Sequence, residues 1–159
     1  MNPQQITVKM ALQSWETQIS RAEKTFQKLS DEQLWQEVSP GRNRGVYLLG
    51  HLVAVNDGMF TLFGLGERLH PELDEAFLKN ADKTGFDFPT TPNLRQYWFD
   101  VHNKLNEKFQ ALSAEEWFQR HNSMTDEDLA KEPSRNKLSV LLNRTAHVAY
   151  HLGQVALIK

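Results

Sequence analysis

The sequence of 159 residues contains no cysteine. This absence excludes disulfide bonds, metal sites built on thiolates and a cysteine nucleophile, and it favours a reducing compartment. Any metal ion bound by this chain must therefore be held by nitrogen or oxygen ligands.

An excess of charge of one sign and long apolar runs are also lacking. The net charge is −2, and no basic block is longer than Arg42-Asn43-Arg44, so we expect no general attraction to nucleic acid or to anionic lipid. Residues Met1–Gln5 lack the charged and apolar regions of a signal peptide, and no run of 18 apolar residues occurs elsewhere. We therefore expect a cytoplasmic protein that binds neither nucleic acid nor membrane.

What is present is ordinary for a globular protein, with 40% hydrophobic and 24% charged residues. A chain of this length can bury a sizeable core without cross-links. We expect one domain that spans residues 1–159.

Four long segments have the apolar spacing of amphipathic helices. They run from about Gln5 to Leu29, from about Val46 to Phe63, from Thr91 as the cap to Leu112, and from about Asn136 to Ile158. The fourth is apolar over more than half its circumference, so we expect it to be the most buried helix. The four tryptophans are expected in the core: Trp15, Trp35, Trp98 and Trp117.

The shorter elements are set by capping and by glycine. Ser30 followed by Gln33 and Ser113 followed by Glu116 predict capping boxes that open two short helices. Gly64 and Gly66 are expected to end the second long helix. The irregular stretch from there to Thr91 contains one candidate short helix, residues 71–80, and we expect a packed crossover that can roof a site.

The two halves of the chain resemble each other. Phe26–Glu32 is matched by Phe109–Glu115, and Pro40–Arg44 is matched by Pro133–Lys137. Each half would comprise a long helix, a capped short helix, a loop and a second long helix. We therefore predict an all-α fold, a four-helix bundle built from two similar helical hairpins.

Three histidines form a candidate metal site in this arrangement. His147 and His151 lie four residues apart on the fourth helix and point the same way. His51 lies on the apolar face of the second long helix, the equivalent element of the first half. If these helices are neighbours, the three imidazoles can hold Zn²⁺, Ni²⁺ or a similar ion and leave a coordination position open. Such an ion could lower the pKa of a bound water, or activate an external thiolate or oxyanion.

Other polar residues carry weaker signals. We assign no metal to the remaining histidines, which are His70, His102 and His121. Three residues lie within a turn or two of the proposed ligands and are candidates to hydrogen-bond them, against the ordinary alternative of exposed polar positions: Asn56, Asp57 and Gln154. We assign no catalytic residue.

Two motifs around the histidines resemble the DinB-like superfamily, a damage-inducible group of metal-binding proteins, over nearly the whole chain. They are Leu49-Gly50-His51-Leu52 and the more specific stretch His147–Gln154. The resemblance implies an up-down-down-up four-helix bundle, frequently a homodimer, that binds Zn²⁺ or Ni²⁺ through His51, His147 and His151. It also implies relatives that are thiol transferases using bacillithiol, mycothiol or glutathione, or metal-dependent isomerases and hydrolases.

Three functional interpretations are open at this point. The leading one is a metal-dependent enzyme that activates a small-molecule thiol or water for attack on an electrophile. The second is a non-catalytic, metal-stabilised bundle that binds a small ligand or a protein partner. The third is a metal-free bundle whose histidines are merely buried.

Overall fold

The chain folds into helices without any strand. A computed structural model describes all residues from Met1 to Lys159. The long helical segments are α1 (Pro3–Lys28), α3 (Gly45–Asp57) continued by α4 (Met59–Phe63), α5 (Thr91–Ala111) and α8 (Lys137–Val155). The short helices are α2 (Asp31–Leu34), α6 (Ala114–Trp117) and α7 (Asp126–Lys131). The prediction of an all-α helical bundle is confirmed.

Local hydrogen bonds fix where the helices begin. The two predicted capping boxes are present at the starts of α2 and α6. The cap of α5, however, is Thr90 and not Thr91 as the sequence indicated. The Thr90 hydroxyl accepts from the backbone N–H of Asn93, and its carbonyl accepts from that of Leu94. Thr91 therefore already belongs to the first helical turn, where its own N–H needs no helical partner.

The most buried long helix is α3, and the expectation that the fourth helix would be the most buried is wrong. Eleven of the 13 residues of α3 are buried, but only six of the 19 residues of α8 are. The reason is the number of neighbours: α3 packs against α5, α8 and the crossover, whereas α8 leaves Leu142 and Tyr150 exposed. The segment Gly45–Phe63 is apolar enough to span a membrane, yet 72% of it is buried in the protein core.

The helices α3 and α8 pack against each other. His51 on α3 lies opposite His147 on α8, and Gly45 at the start of α3 lies close to Ile158 just beyond the end of α8. The two helices therefore run in opposite directions. This pairing brings the second and fourth long helices of the bundle side by side.

One hydrogen bond is repeated in the two halves of the chain. The Gly45 N–H donates to the Gln36 carbonyl, and the Lys137 N–H donates to the Gln119 carbonyl, at 3.0 and 3.1 Å. Gln36 and Gln119 are equivalent in the internal sequence match. In each half the bond holds the start of a long helix against the end of the short capped helix before it. The long helices, however, pair across the halves, since α1 packs mainly against α8 and α3 packs mainly against α5. The repeat is therefore local and does not extend to two self-contained helical hairpins.

The crossover between α4 and α5 is tied to α3 by a buried carboxylate. Asp57 is fully buried and accepts hydrogen bonds from Arg68 Nε and from the backbone N–H groups of Leu69 and His70. The short helix that we expected over residues 71–80 occurs as a 3₁₀ turn, Pro71–Leu73, followed by a π-helical turn, Glu75–Lys79. The crossover is thereby packed against the most buried helix.

Three of the four tryptophans are buried, but Trp35 is 45% exposed, so its assignment to the core is wrong. The internal sequence match explains why, because the partner of Trp117 in the first half is Leu34. Both of these residues are fully buried. Trp35 follows Leu34 and points outward, where it stacks on Phe88 with the Arg44 guanidinium over its ring.

We predict opposite effects for two Gly-to-Ala substitutions in helices. A Cβ at Gly50 would overlap the ring of Phe77, whereas a Cβ at Gly153 meets nothing within 4 Å. Overpacking costs about 1–3 kcal/mol, so we expect Gly50→Ala to lower the free energy of unfolding. Gly153→Ala should raise it by about 0.5–1 kcal/mol through helix propensity alone. Urea unfolding of both variants measures this, and a Gly50→Ala protein as stable as Gly153→Ala would contradict the packing described here.

Candidate metal centre

Three imidazoles meet between α3 and α8. The Nε2 atom of His147 lies 3.2 Å from that of His51 and 2.9 Å from that of His151. The three ligand atoms all lie within 4.8 Å of one another. Nitrogen ligands about 2.0–2.1 Å from a tetrahedral zinc ion are about 3.3–3.4 Å apart. The cluster therefore has the size that one such ion requires.

The helical geometry explains why these side chains converge. His147 and His151 are separated by one turn of α8, so both project from the face that meets α3. His51 is one of only two α3 residues that are not fully buried. Its position at the edge of the core lets its ring face the gap between the helices.

Hydrogen bonds orient two of the rings. The Nδ1–H of His51 donates to the backbone carbonyl of Phe77 at 2.8 Å, and the Nδ1–H of His151 donates to Gln154 Oε1 at 2.7 Å. Because a carbonyl can only accept, each ring carries its proton on Nδ1 and has a lone pair on Nε2. Partners of this kind fix the tautomer and the orientation of metal-binding histidines.

The third ring, that of His147, lacks the hydrogen bond that orients the other two. The Nδ1 atom of His147 is buried and has no hydrogen-bond partner. If His147 carries its proton on Nε2, a buried lone pair on Nδ1 stays unpaired; if it carries the proton on Nδ1, three lone pairs face one another. In both tautomers a polar group stays unsatisfied at the cost of desolvation. A divalent ion accepts all three Nε2 lone pairs and removes the repulsion between them.

The site keeps its imidazoles neutral, which is the form that binds metal. The pKa of His147 is lowered to about 4, mainly by burial and in addition by the neighbouring His151, His51 and Arg144. Burial is also the main cause that lowers the pKa values of His51 and His151. At neutral pH no proton has to be displaced from a charged ring before an ion binds.

Of the three polar residues considered as partners of the ligands, only Gln154 contacts one. Asn56 instead pairs with His102, with Nδ2 and Nε2 2.9 Å apart, and Asp57 binds the crossover. Sequence reasoning missed the partner of His51, the Phe77 carbonyl, because a backbone acceptor has no residue signature. The only signal is the packed crossover expected between Gly64 and Thr91, which predicts a covering segment without identifying an atom.

The other histidines lie outside the cluster. His70 Nδ1 pairs with Glu72, and His121 Nδ1 pairs with the Ser123 hydroxyl. His102 is buried, and its Nδ1–H donates to the Trp98 carbonyl at 2.7 Å. Burial lowers the pKa of His102 to about 4.

A family model described as the DinB superfamily matches residues 14–155. The matched range contains all three histidines of the cluster and most of the bundle. A comparison with curated proteins gives no match.

We predict that His102 makes stability depend on pH. Its pKa in the folded protein is about 4, below the value of about 6.5 in an unfolded chain. The contribution of the neutral imidazole to the free energy of unfolding is therefore fully present above pH 6.5 and is lost as the pH falls toward 4. As the pH falls between these limits, the free energy of unfolding of the metal-free wild type should fall by up to about 3 kcal/mol more than that of a His102→Gln variant. The reason is that a shift of one pKa unit is worth about 1.4 kcal/mol.

Urea unfolding at several pH values, with chelator present for both proteins, measures this difference. The three clustered histidines titrate in both proteins and cancel in the comparison. Parallel stability curves for the wild type and His102→Gln would contradict the assignment of a buried neutral imidazole.

Proposed function

We propose, because this chain belongs to the DinB superfamily and because three imidazoles converge in it, that it binds a divalent metal ion through His51, His147 and His151. We propose further that it is an enzyme, a thiol S-transferase or a hydrolase, in which the ion activates a small-molecule thiol or water. The observation that carries the proposal is the convergence of the three Nε2 atoms, two of which must present lone pairs.

The donor set supports an open site with a full positive charge. Three nitrogen ligands leave at least one coordination position for water or substrate, as in catalytic zinc sites. No carboxylate belongs to the cluster, so no ligand would neutralise the ion. Imidazole ligands suit Zn²⁺ and Ni²⁺, and we propose these two as the native candidates.

The ion would supply Lewis acidity, which lowers the pKa of a coordinated water or thiol. The chain itself supplies orientation and neutrality. The Phe77 carbonyl and Gln154 hold two imidazoles with Nε2 inward, and burial disfavours protonation of all three. Because the chain has no cysteine, a sulfur nucleophile must come from a small molecule.

Three further expectations belong to this proposal. We expect a cytoplasmic protein that acts on small molecules rather than on nucleic acid or membrane, and we expect a homodimer. The family resemblance supports the dimer, and the lack of cysteine favours a reducing compartment. Analytical ultracentrifugation of the metal-loaded protein would test the dimer directly.

A second candidate is a metal-stabilised bundle without catalytic activity. It is favoured by the way the cluster joins distant parts of the chain: His51 belongs to the first half, His147 and His151 belong to the second, and Phe77 lies in the crossover. An ion bound there would hold these parts together and add its binding free energy to the stability of the fold.

We predict that protein purified without a histidine tag retains about one divalent ion per chain, the content of a single mononuclear site. His147→Ala removes the ligand at the centre of the cluster and should abolish stoichiometric retention. His70→Ala is the control, because His70 pairs with Glu72 outside the cluster. Elemental analysis measures the content. Wild-type protein without an ion, or unchanged occupancy in His147→Ala, would reject the proposed site.

We predict that the metal-loaded protein accelerates the reaction of a small thiol with an electrophile such as 1-chloro-2,4-dinitrobenzene, or the hydrolysis of an activated ester. A chelator should abolish the acceleration, and added Zn²⁺ or Ni²⁺ should restore it. Thermal unfolding is measured on the same samples. A large loss of stability with chelator, combined with no activity toward any thiol, electrophile or ester, would support the non-catalytic bundle instead.

A further inference from the structure

A cavity of about 490 Å³ lies beside the histidine cluster. Its walls include Val55, which is one turn after His51 on α3, and Arg144, which is three residues before His147 on α8. Cavities that bind small molecules typically measure about 300–1,000 Å³. This space is therefore large enough for a small ligand, and it begins one helical turn from His51, although none of the three histidines lines it.

Arg144 is the unpaired cation of this cavity. Its Nε atom is buried without a hydrogen-bond partner, and its guanidinium contacts no carboxylate. The other arginine in the cavity wall, Arg68, is bound by both Asp57 and Asp74. Those two carboxylates are thereby occupied, and no acidic residue lines the cavity.

The guanidinium is open to ligands on two sides. A second cavity of about 310 Å³ shares Arg144, Leu62 and Ser123 with the first. Burial lowers the pKa of Arg144, and its positive charge helps to lower the pKa values of both His51 and His147. Arg144 therefore contributes positive potential at the histidine cluster as well as in the cavity.

An unpaired, partly buried guanidinium is costly unless an anion binds to it. Its planar donors match a carboxylate, which can accept two parallel hydrogen bonds. Arg144 is the one free guanidinium in the wall of the first cavity and balances one negative charge there, which favours a carboxylate over a doubly charged phosphate. The position of Arg144 would hold the carboxylate while the other end of the ligand points toward the histidines.

We propose that the substrate of this site carries a carboxylate that pairs with Arg144, while its thiol or other reactive group reaches the metal ion. Arg144 is then the residue that determines specificity for anionic substrates. The inference rests on the proposed function, because it assumes an ion held by His51, His147 and His151.

Two thiols of equal length test the proposal, 3-mercaptopropionate and 3-mercapto-1-propanol. Each is titrated into cobalt-substituted protein, where the thiolate-to-cobalt absorption band reports coordination and gives a Kd. We expect the wild type to bind the carboxylate about ten-fold more tightly, as suits one charged hydrogen-bonded pair. Arg144→Gln should bind both thiols equally, and Arg144→Lys should keep part of the preference.

Arg21→Gln is the matched control, because Arg21 is exposed on α1 and lines neither of the two cavities. It removes the same charge and should keep the full preference. Cobalt content and circular dichroism show that each variant is folded and loaded. Equal affinity of the wild type for both thiols, or an undiminished preference in Arg144→Gln, would overturn the proposal.

A metal-free measurement separates this inference from the proposed function. If neither thiol produces the absorption band, thiol coordination by the ion fails, and Arg144 is then judged by butyrate alone, which carries one carboxylate. Butyrate should raise the Tm of the metal-free wild type and of Arg21→Gln but not that of Arg144→Gln. No rise in the wild type, or the same rise in Arg144→Gln, would overturn the role of Arg144.

Discussion

Three imidazole nitrogens that cannot satisfy one another face a common point between α3 and α8. The Phe77 carbonyl and Gln154 commit two of the rings to present lone pairs, and the third ring has a buried Nδ1 without a partner. Like charges or lone pairs in a desolvated site are unfavourable, and protonation is opposed by burial. A divalent cation bound by the three Nε2 atoms removes the repulsion between their lone pairs without protonating any ring, and the Nδ1–H of His147 then keeps no acceptor.

The surrounding fold holds His51 in place. The helix α3 is enclosed by α5, α8 and the crossover, which leaves His51 at one of its few accessible points. The absence of a side chain at Gly50 lets Phe77 approach α3, and the carbonyl of the same residue holds the His51 ring. The buried pair of Asp57 and Arg68 fixes the crossover from the other end. Core packing and site geometry therefore depend on the same contacts.

Much of this arrangement could be predicted from the sequence. Apolar spacing and capping residues located the long helices to within a few residues, and the internal match related the histidines of the two halves. Burial was harder to predict, because the hydropathy of a helix does not say how many neighbours it has; α8 was expected to be the most buried, and α3 is. Trp35 was assigned to the core because tryptophan is a large apolar residue, but its position next to the buried Leu34 turns its side chain outward.

The partners of the site residues were the least predictable. The hydrogen-bond partners of Asp57 lie 11 to 13 residues further along the chain, in a turn that no sequence motif predicts. Backbone acceptors such as the Phe77 carbonyl are invisible in a sequence. The unpaired state of Arg144 likewise depends on which carboxylates other arginines occupy, and this is decided only by the folded structure.

X-ray absorption of the zinc-loaded protein tests most directly whether three imidazoles form an open metal site. We expect scattering from about three imidazole nitrogens about 2.0–2.1 Å from zinc, with a remaining light ligand that a bound thiol replaces by sulfur at about 2.3 Å. Scattering from fewer than three imidazoles, or from four protein ligands that exclude the thiol, would contradict it.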